Sequence, residues 1–151
     1  MMENRISAAS RHPRLTERDA YKHWSREQVR WSDTDLVGHV NNLSFAAYCE
    51  TGRCMFLRPF VEKGSPQRAM MLPAQLVLNF MAEAHWPQVV EIGTGIIAIG
   101  NTSCRIGQGL FVEDRCIGTS EVTNVMINED TRQPMPIPDW LRDWMKDYLI
   151  D

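Results

Sequence analysis
The sequence predicts an α+β fold, a curved antiparallel sheet wrapped around a long central helix, with a second helix at the C-terminus. Three observations carry this. From Asn42 to about Phe60, the residues Phe45, Tyr48, Cys49, Gly52, Phe56, Pro59 and Phe60 recur at helical spacing. Leu43, Ala46, Ala47, Met55 and Leu57 make most of the remaining circumference apolar, as expected of a helix buried in a core. After Pro73 the period falls to two through four segments joined by short turn signals, which reads as an antiparallel meander.

Taken in order, residues 1–24 are polar without sustained periodicity and read as an arm or loosely packed lead-in, with a short helical turn near Thr16–Tyr21. Residues 25–151 read as a single domain. Glu27–Trp31 alternates, with Val29 and Trp31 on one face, and predicts a half-buried strand. Pro59 and Gly64-Ser65-Pro66 should stop the central helix after about four turns. The next strand sets Leu76, Leu78, Phe80, Ala82, Ala84 and Trp86 on one face before Pro87-Gln88 turns the chain. Val89–Gly100, Thr102–Val112 and Arg115–Ile127 follow as strands, with Gly93 and Gly95 suggesting a bend. A Pro-rich exit leads to Asp139–Leu149, where Trp140, Leu141, Trp144, Met145, Tyr148 and Leu149 form a helical stripe.

Composition narrows the function. A net charge of −3, with sixteen scattered Lys and Arg, gives no electrostatic case for nucleic acid. No apolar run approaches the ~18 residues that cross a bilayer, so no membrane partner is expected. Met1 to Ser10 lacks the apolar segment of a secretory signal. Cys49, Cys54, Cys104 and Cys116 show neither C-x-x-C nor zinc spacing and read as reduced thiols, so a cytoplasmic location is expected.

Chemistry concentrates in Trp31-Ser32-Asp33-Thr34-Asp35-Leu36-Val37-Gly38-His39-Val40-Asn41-Asn42, immediately before the central helix. One reading is structural: Asp and Asn are turn residues, Gly38 supplies a positive φ, and Asn41 or Asn42 caps the helix. A second is phosphoryl transfer, since Asp33-Thr34-Asp35-Leu36-Val37 matches D-x-D-x-[TV]. That motif should follow a continuously apolar parallel strand, which Glu27-Gln28-Val29-Arg30-Trp31 is not. In the third reading, a carboxylate and the helix N-terminus act together on an acyl group. The carboxylate activates or supplies the attacking oxygen, and the unpaired N–H groups stabilise the oxyanion.

These residues also carry a resemblance. Val29 to Asn42, followed by Tyr48-Cys49-Glu50-Thr51-Gly52-Arg53, resembles the 4-hydroxybenzoyl-CoA thioesterase family of hotdog-fold acyl-CoA thioesterases. The family pattern is roughly D-x-D-x-x-G-H-V-N-N and then Y-x-x-Y-x-E-x-x-R. Gly100-Asn101-Thr102-Ser103 and Asn128 to Pro134 are similar to later family segments, so the resemblance spans about residues 26–138. It implies a hotdog fold, an acyl-CoA substrate and no cofactor. It further implies Asp35 as nucleophile or general base and a backbone N–H at Asn42 as oxyanion donor. Gly38, His39, Asn41, Tyr48 and Glu50 are implied substrate-binding residues. A homodimer or homotetramer, with the site at the subunit interface, is implied as well.

The sequence departs from the pattern at Phe45, where Tyr is usual, at Gly52, where Ala is common, and at Pro87-Gln88, where the usual Gly-Asp turn is missing. A helical glycine costs roughly 1 kcal/mol relative to alanine, which close approach of a strand or of the acyl chain would justify. Glu50 could be an alternative catalytic carboxylate, but a pairing with Arg53 one turn away is the simpler expectation. His39 and His85 could hold a metal with Asp35, yet without close spacing they read as structural or surface residues, so no metal is expected. Competing functions are a non-catalytic acyl-binding module and a hotdog hydratase.

Overall fold
The computed structural model describes residues 11–65 and 68–151. Strands β1 (His23–Gln28), β2 (Ala69–Phe80), β3 (Val89–Ile99), β4 (Ser103–Val112) and β5 (Arg115–Asn128) form one antiparallel sheet in the order β1-β3-β4-β5-β2. Helix α1 (Asn42–Lys63) joins β1 to β2 and lies against β1, β3 and β4; α2 (Asp139–Lys146) follows β5. Register shifts at Pro73/Gln75, Ile96/Ala98 and Leu110/Phe111 act as bulges, which bend strands and increase twist. The result is the hotdog arrangement, a curved sheet around a helix.

The helix is longer and less enclosed than its sequence suggests. It runs through Pro59 to Lys63 and ends at Gly64, where φ is +67°. Its buried stripe is Phe45, Tyr48, Cys49, Gly52, Phe56 and Phe60, while Leu43 and Val61 are 83% and 72% exposed. Only the sheet-facing stripe is covered. Its first half packs with Val29, Val90, Ile92, Leu110 and Ile117. The second half packs with Ile96, Ile106 and Met126, closed at that end by Leu141 and Met145 of α2. Phe56 meets the rings of Trp144 and Tyr148 at 4.9 and 5.2 Å.

Three further sequence expectations need correction. The strand expected over Glu27–Trp31 ends at Gln28; Val29 is buried, but the turn at Trp31–Asp33 swings Trp31 out, 73% exposed. β2 pairs with β5 rather than β3, so the four strands are not a simple meander. Period two reports which face a residue occupies and carries no information about the neighbouring strand. Here residues 81–88 are no hairpin, because Ala84 accepts from the Val40 N–H and His85 bridges to His39. Finally, the described part of the lead-in is packed. Leu15, Ala20 and Tyr21 cluster with Phe111 and Ile150 on the face of the sheet away from α1, and Tyr21 Oη donates to the Leu15 carbonyl at 2.6 Å. Residues 1–10 lie outside the described residues.

At Gly52 helix α1 approaches the sheet closely. A Cβ there would lie 2.8 Å from Ile92 Cγ2 and 2.9 Å from Gln108 Nε2. Both neighbours are fully buried, and Gln108 is fixed by donating to the Cys49 carbonyl and to Thr94 Oγ1. The strand therefore accounts for the glycine. Gly52→Ala gains about 1 kcal/mol of helix propensity but overpacks the contact, which typically costs about 1–3 kcal/mol. A net loss of stability is expected, read as a lower midpoint in urea denaturation with an unchanged slope.

Candidate active site
The loop before α1 separates the two aspartates of the D-x-D motif into different roles. Asp33 closes the turn after β1 and is buried at 3% exposure. Its Oδ2 accepts from the Arg30 N–H at 2.9 Å and from Tyr48 Oη at 2.6 Å, and Arg30 Nη2 lies 3.2 Å from Oδ1. Burial alone would raise this carboxyl, but the hydrogen bonds from Tyr48 and Arg30, with the guanidinium charge, outweigh it and hold Asp33 below its ordinary value. Tyr48 answers in the opposite direction: burial and its bond to Asp33 push the phenol above its usual range. Tyr48, expected to bind substrate, is thus placed as an anchor between helix and loop.

Asp35 is exposed. A turn runs from Asp35 to Gly38, closed by the Gly38 N–H to the Asp35 carbonyl at 3.0 Å and the Asp35 N–H to the His39 carbonyl at 2.8 Å. Gly38 takes φ +83° there, which costs a glycine little and other residues more. Asp35 Oδ1 accepts from the N–H groups of Val37 and His39 at 2.9 and 3.2 Å. Among the described residues Oδ2 receives no hydrogen bond or ion pair. One carboxylate oxygen shapes the loop and the other remains available.

Asn41 is the N-cap of α1, its side chain accepting from the Ser44 N–H at 2.8 Å. The N–H groups of Asn42 and Leu43 precede any intrahelical acceptor and find no protein partner among the described residues. Asp35, His39 and Asn42 line one cavity of about 330 Å³ together with Val40, Phe45, Phe80, Met81, Ala82, Glu83 and Ala84. Phe45 and Phe80 face each other edge-on at 5.0 Å. An acidic residue, the first residue of the helix and an apolar wall therefore line one space.

The other expected residues fall outside it. Gly38 and Asn41 shape the loop. Glu50 is exposed on α1, away from the cavity, and the expected pairing with Arg53 is not made; Arg53 instead reaches Gln108 Oε1 at 3.5 Å. Cys49 is fully buried and outside this cavity, and burial pushes its thiol up to about 12, which disfavours the reactive thiolate. The far wall, Phe80 to Glu83, went unrecognised in the sequence because those residues read as ordinary strand alternation.

A family model described as the thioesterase-like superfamily matches residues 29–145. The chain belongs to the thioesterase-like superfamily. No curated protein matches it significantly. Among solved structures, this superfamily member is similar to the PA5185 protein from Pseudomonas aeruginosa strain PAO1, at 25% identity and TM-score 0.79, covering 89% of this chain and 96% of that one. It is similar to a predicted thioesterase from Bacillus stearothermophilus at 29% identity and TM-score 0.77, covering 83% and 95%. A thioesterase from Thermus thermophilus, complexed with coenzyme A and Zn, shares the fold at 20% identity and TM-score 0.75, covering 86% and 96%. The superfamily supports thioester hydrolase chemistry in general terms.

Proposed function
We propose that the protein is an acyl-CoA thioesterase of the 4-hydroxybenzoyl-CoA thioesterase type, with Asp35 as nucleophile or general base. The observation that carries this is the shared cavity, which holds the Asp35 carboxylate, the first residue of α1 and an apolar wall. A thioester carbonyl seated against the Asn42 N–H has its developing oxyanion met by a fixed donor, whose removal typically costs ~2.7–4 kcal/mol. Asp35 then delivers the attacking oxygen, either its own or that of a water it deprotonates. The apolar side chains of Val40, Phe45, Phe80 and Met81 suit an acyl group. The coenzyme A found with the Thermus thermophilus thioesterase is in keeping with such a substrate.

We also read the protein as a homodimer or homotetramer working in the cytoplasm without a cofactor. Supporting assembly, α1 exposes Leu43, Met55 and Val61, and β2 is an edge strand with Leu76 and Phe80 half exposed. The described cysteines are all free, and no described helix is long and apolar enough to cross a membrane. One observation favours the competing reading, a non-catalytic acyl-binding module: the bonds from Val37 and His39 to Asp35 would suit a purely loop-shaping residue. A panel of acyl-CoAs assayed for free-thiol release separates the two. Thiol release from at least one member is expected, from a species whose mass by light scattering is a multiple of 17.4 kDa. Binding without release would establish the module.

A further inference from the structure
We infer that His39, Glu83 and His85 form a binding site for a divalent transition metal of the zinc type, clamping the Asp35 loop to the connection between β2 and β3. Among the described residues these three bring one donor atom each within 4.8 Å of the others. His39 Nε2 lies 3.1 Å from Glu83 Oε2, and His85 Nε2 lies 3.7 Å from the same oxygen. Donors bound tetrahedrally at ~2.0–2.1 Å stand roughly 3.3 Å apart, so small side-chain rotations bring all three onto one ion. Two imidazoles and a carboxylate suit zinc chemically, and three protein ligands leave a fourth position for water.

The backbone is arranged for this donor set. His39 and His85 form an isolated antiparallel bridge that sets their rings side by side, with centroids 5.0 Å apart. His85 Nδ1 lies 3.2 Å from the Gly38 carbonyl. A carbonyl only accepts, so Nδ1 is the donor of this contact, which leaves Nε2, on the Glu83 side, as the nitrogen that a metal would take. The His85 N–H is itself held by Gln88 Oε1 at 2.8 Å. All three side chains are partly exposed, leaving an entry path. Because the His39 N–H also donates to Asp35 Oδ1, an ion here fixes the loop that carries Asp35. The ligands lie 44 and 46 positions beyond His39 (83 − 39 and 85 − 39), which is why no spacing motif announces them.

The test is Zn²⁺ titration of the full chain after chelator dialysis, followed by calorimetry and by the bound-metal count. One Zn²⁺ per chain and a melting temperature that rises with Zn²⁺ are expected. Co²⁺ in its place should give the visible bands of a tetrahedral site. His85→Ala and Glu83→Gln should each weaken binding by more than the ~10–100-fold typical of losing an outer-shell partner. Should His85→Ala fail to fold, Glu83→Gln and the Co²⁺ spectrum of the unaltered chain still decide. Absence of binding to the unaltered chain, or equal affinity in Glu83→Gln, overturns the site. Zinc binding is read without substrate, so the site and the thioesterase reading fail separately.

Discussion
Asp35→Asn should abolish most thioester hydrolysis, by about 10²–10⁴-fold in kcat, the usual contribution of a positioned acid or base. The substitution is chosen for what it preserves. Asn keeps an acceptor oxygen at Oδ1, so the bonds from the Val37 and His39 N–H groups survive and the turn stays closed. What disappears is the negative charge of a residue that lines the cavity shared with Asn42. Thermal stability, oligomeric mass and acyl-CoA binding should therefore stay near those of the unaltered protein while turnover falls. Near-normal turnover would remove Asp35 from the chemistry and return attention to Glu50, which is exposed on α1 outside that cavity.

Asp33→Ala should act the other way, chiefly on folding. The carboxylate accepts from Tyr48 Oη, the Arg30 N–H and the Arg30 guanidinium. Losing a bond to a charged acceptor costs about 1.5–3 kcal/mol, and the Tyr48 hydroxyl left buried adds about 1–3 kcal/mol. A loss of roughly 3 kcal/mol or more in chemical denaturation is expected, with the loop and α1 coming apart at that seam. The pH dependence has a definite sign. Asp33 is held below its ordinary value of 3.8 in the folded state, so its contribution is complete above that value and is lost as pH falls through the lower folded value. The unaltered protein should lose stability below about pH 4, and Asp33→Ala should flatten that acid limb. An acid limb of unchanged steepness would show that Asp33 is not the group responsible.

The contrast between these two aspartates shows what the sequence could and could not tell. Local pattern revealed the helix start, a cap at Asn41 or Asn42, which the structure places at Asn41, and the glycine turn, because capping and positive φ depend on a few neighbouring residues. The helical stripe from Phe45 to Phe60 was equally legible. The residue types in the motif do not separate Asp33 from Asp35. Their difference is made by Tyr48, fifteen residues on, and by Arg30, whose backbone and side chain both turn toward Asp33. The same limit explains β2. Its alternation is plain, but its pairing with β5 is fixed by residues 81–88, which are tied to Val40 and His39 instead of folding back as a hairpin. Glu83 was invisible as a partner for the two histidines until that crossing placed it between them.

The crossing has a consequence for how such a protein can change. Phe80 is the last rung of β2 on β5, and beyond it Met81 and Ala82 both donate their N–H groups to the single carbonyl of Ile117. Their main chain is pinned by one oxygen that does not read side-chain identity, while their side chains line the cavity. Substitution at the exposed Met81 can thus redraw this cavity without breaking a ladder bond, whereas Ala82 also packs against the core. If the cavity takes the acyl group as proposed, preference for one acid over another can change at position 81 while the strand pairing stands still.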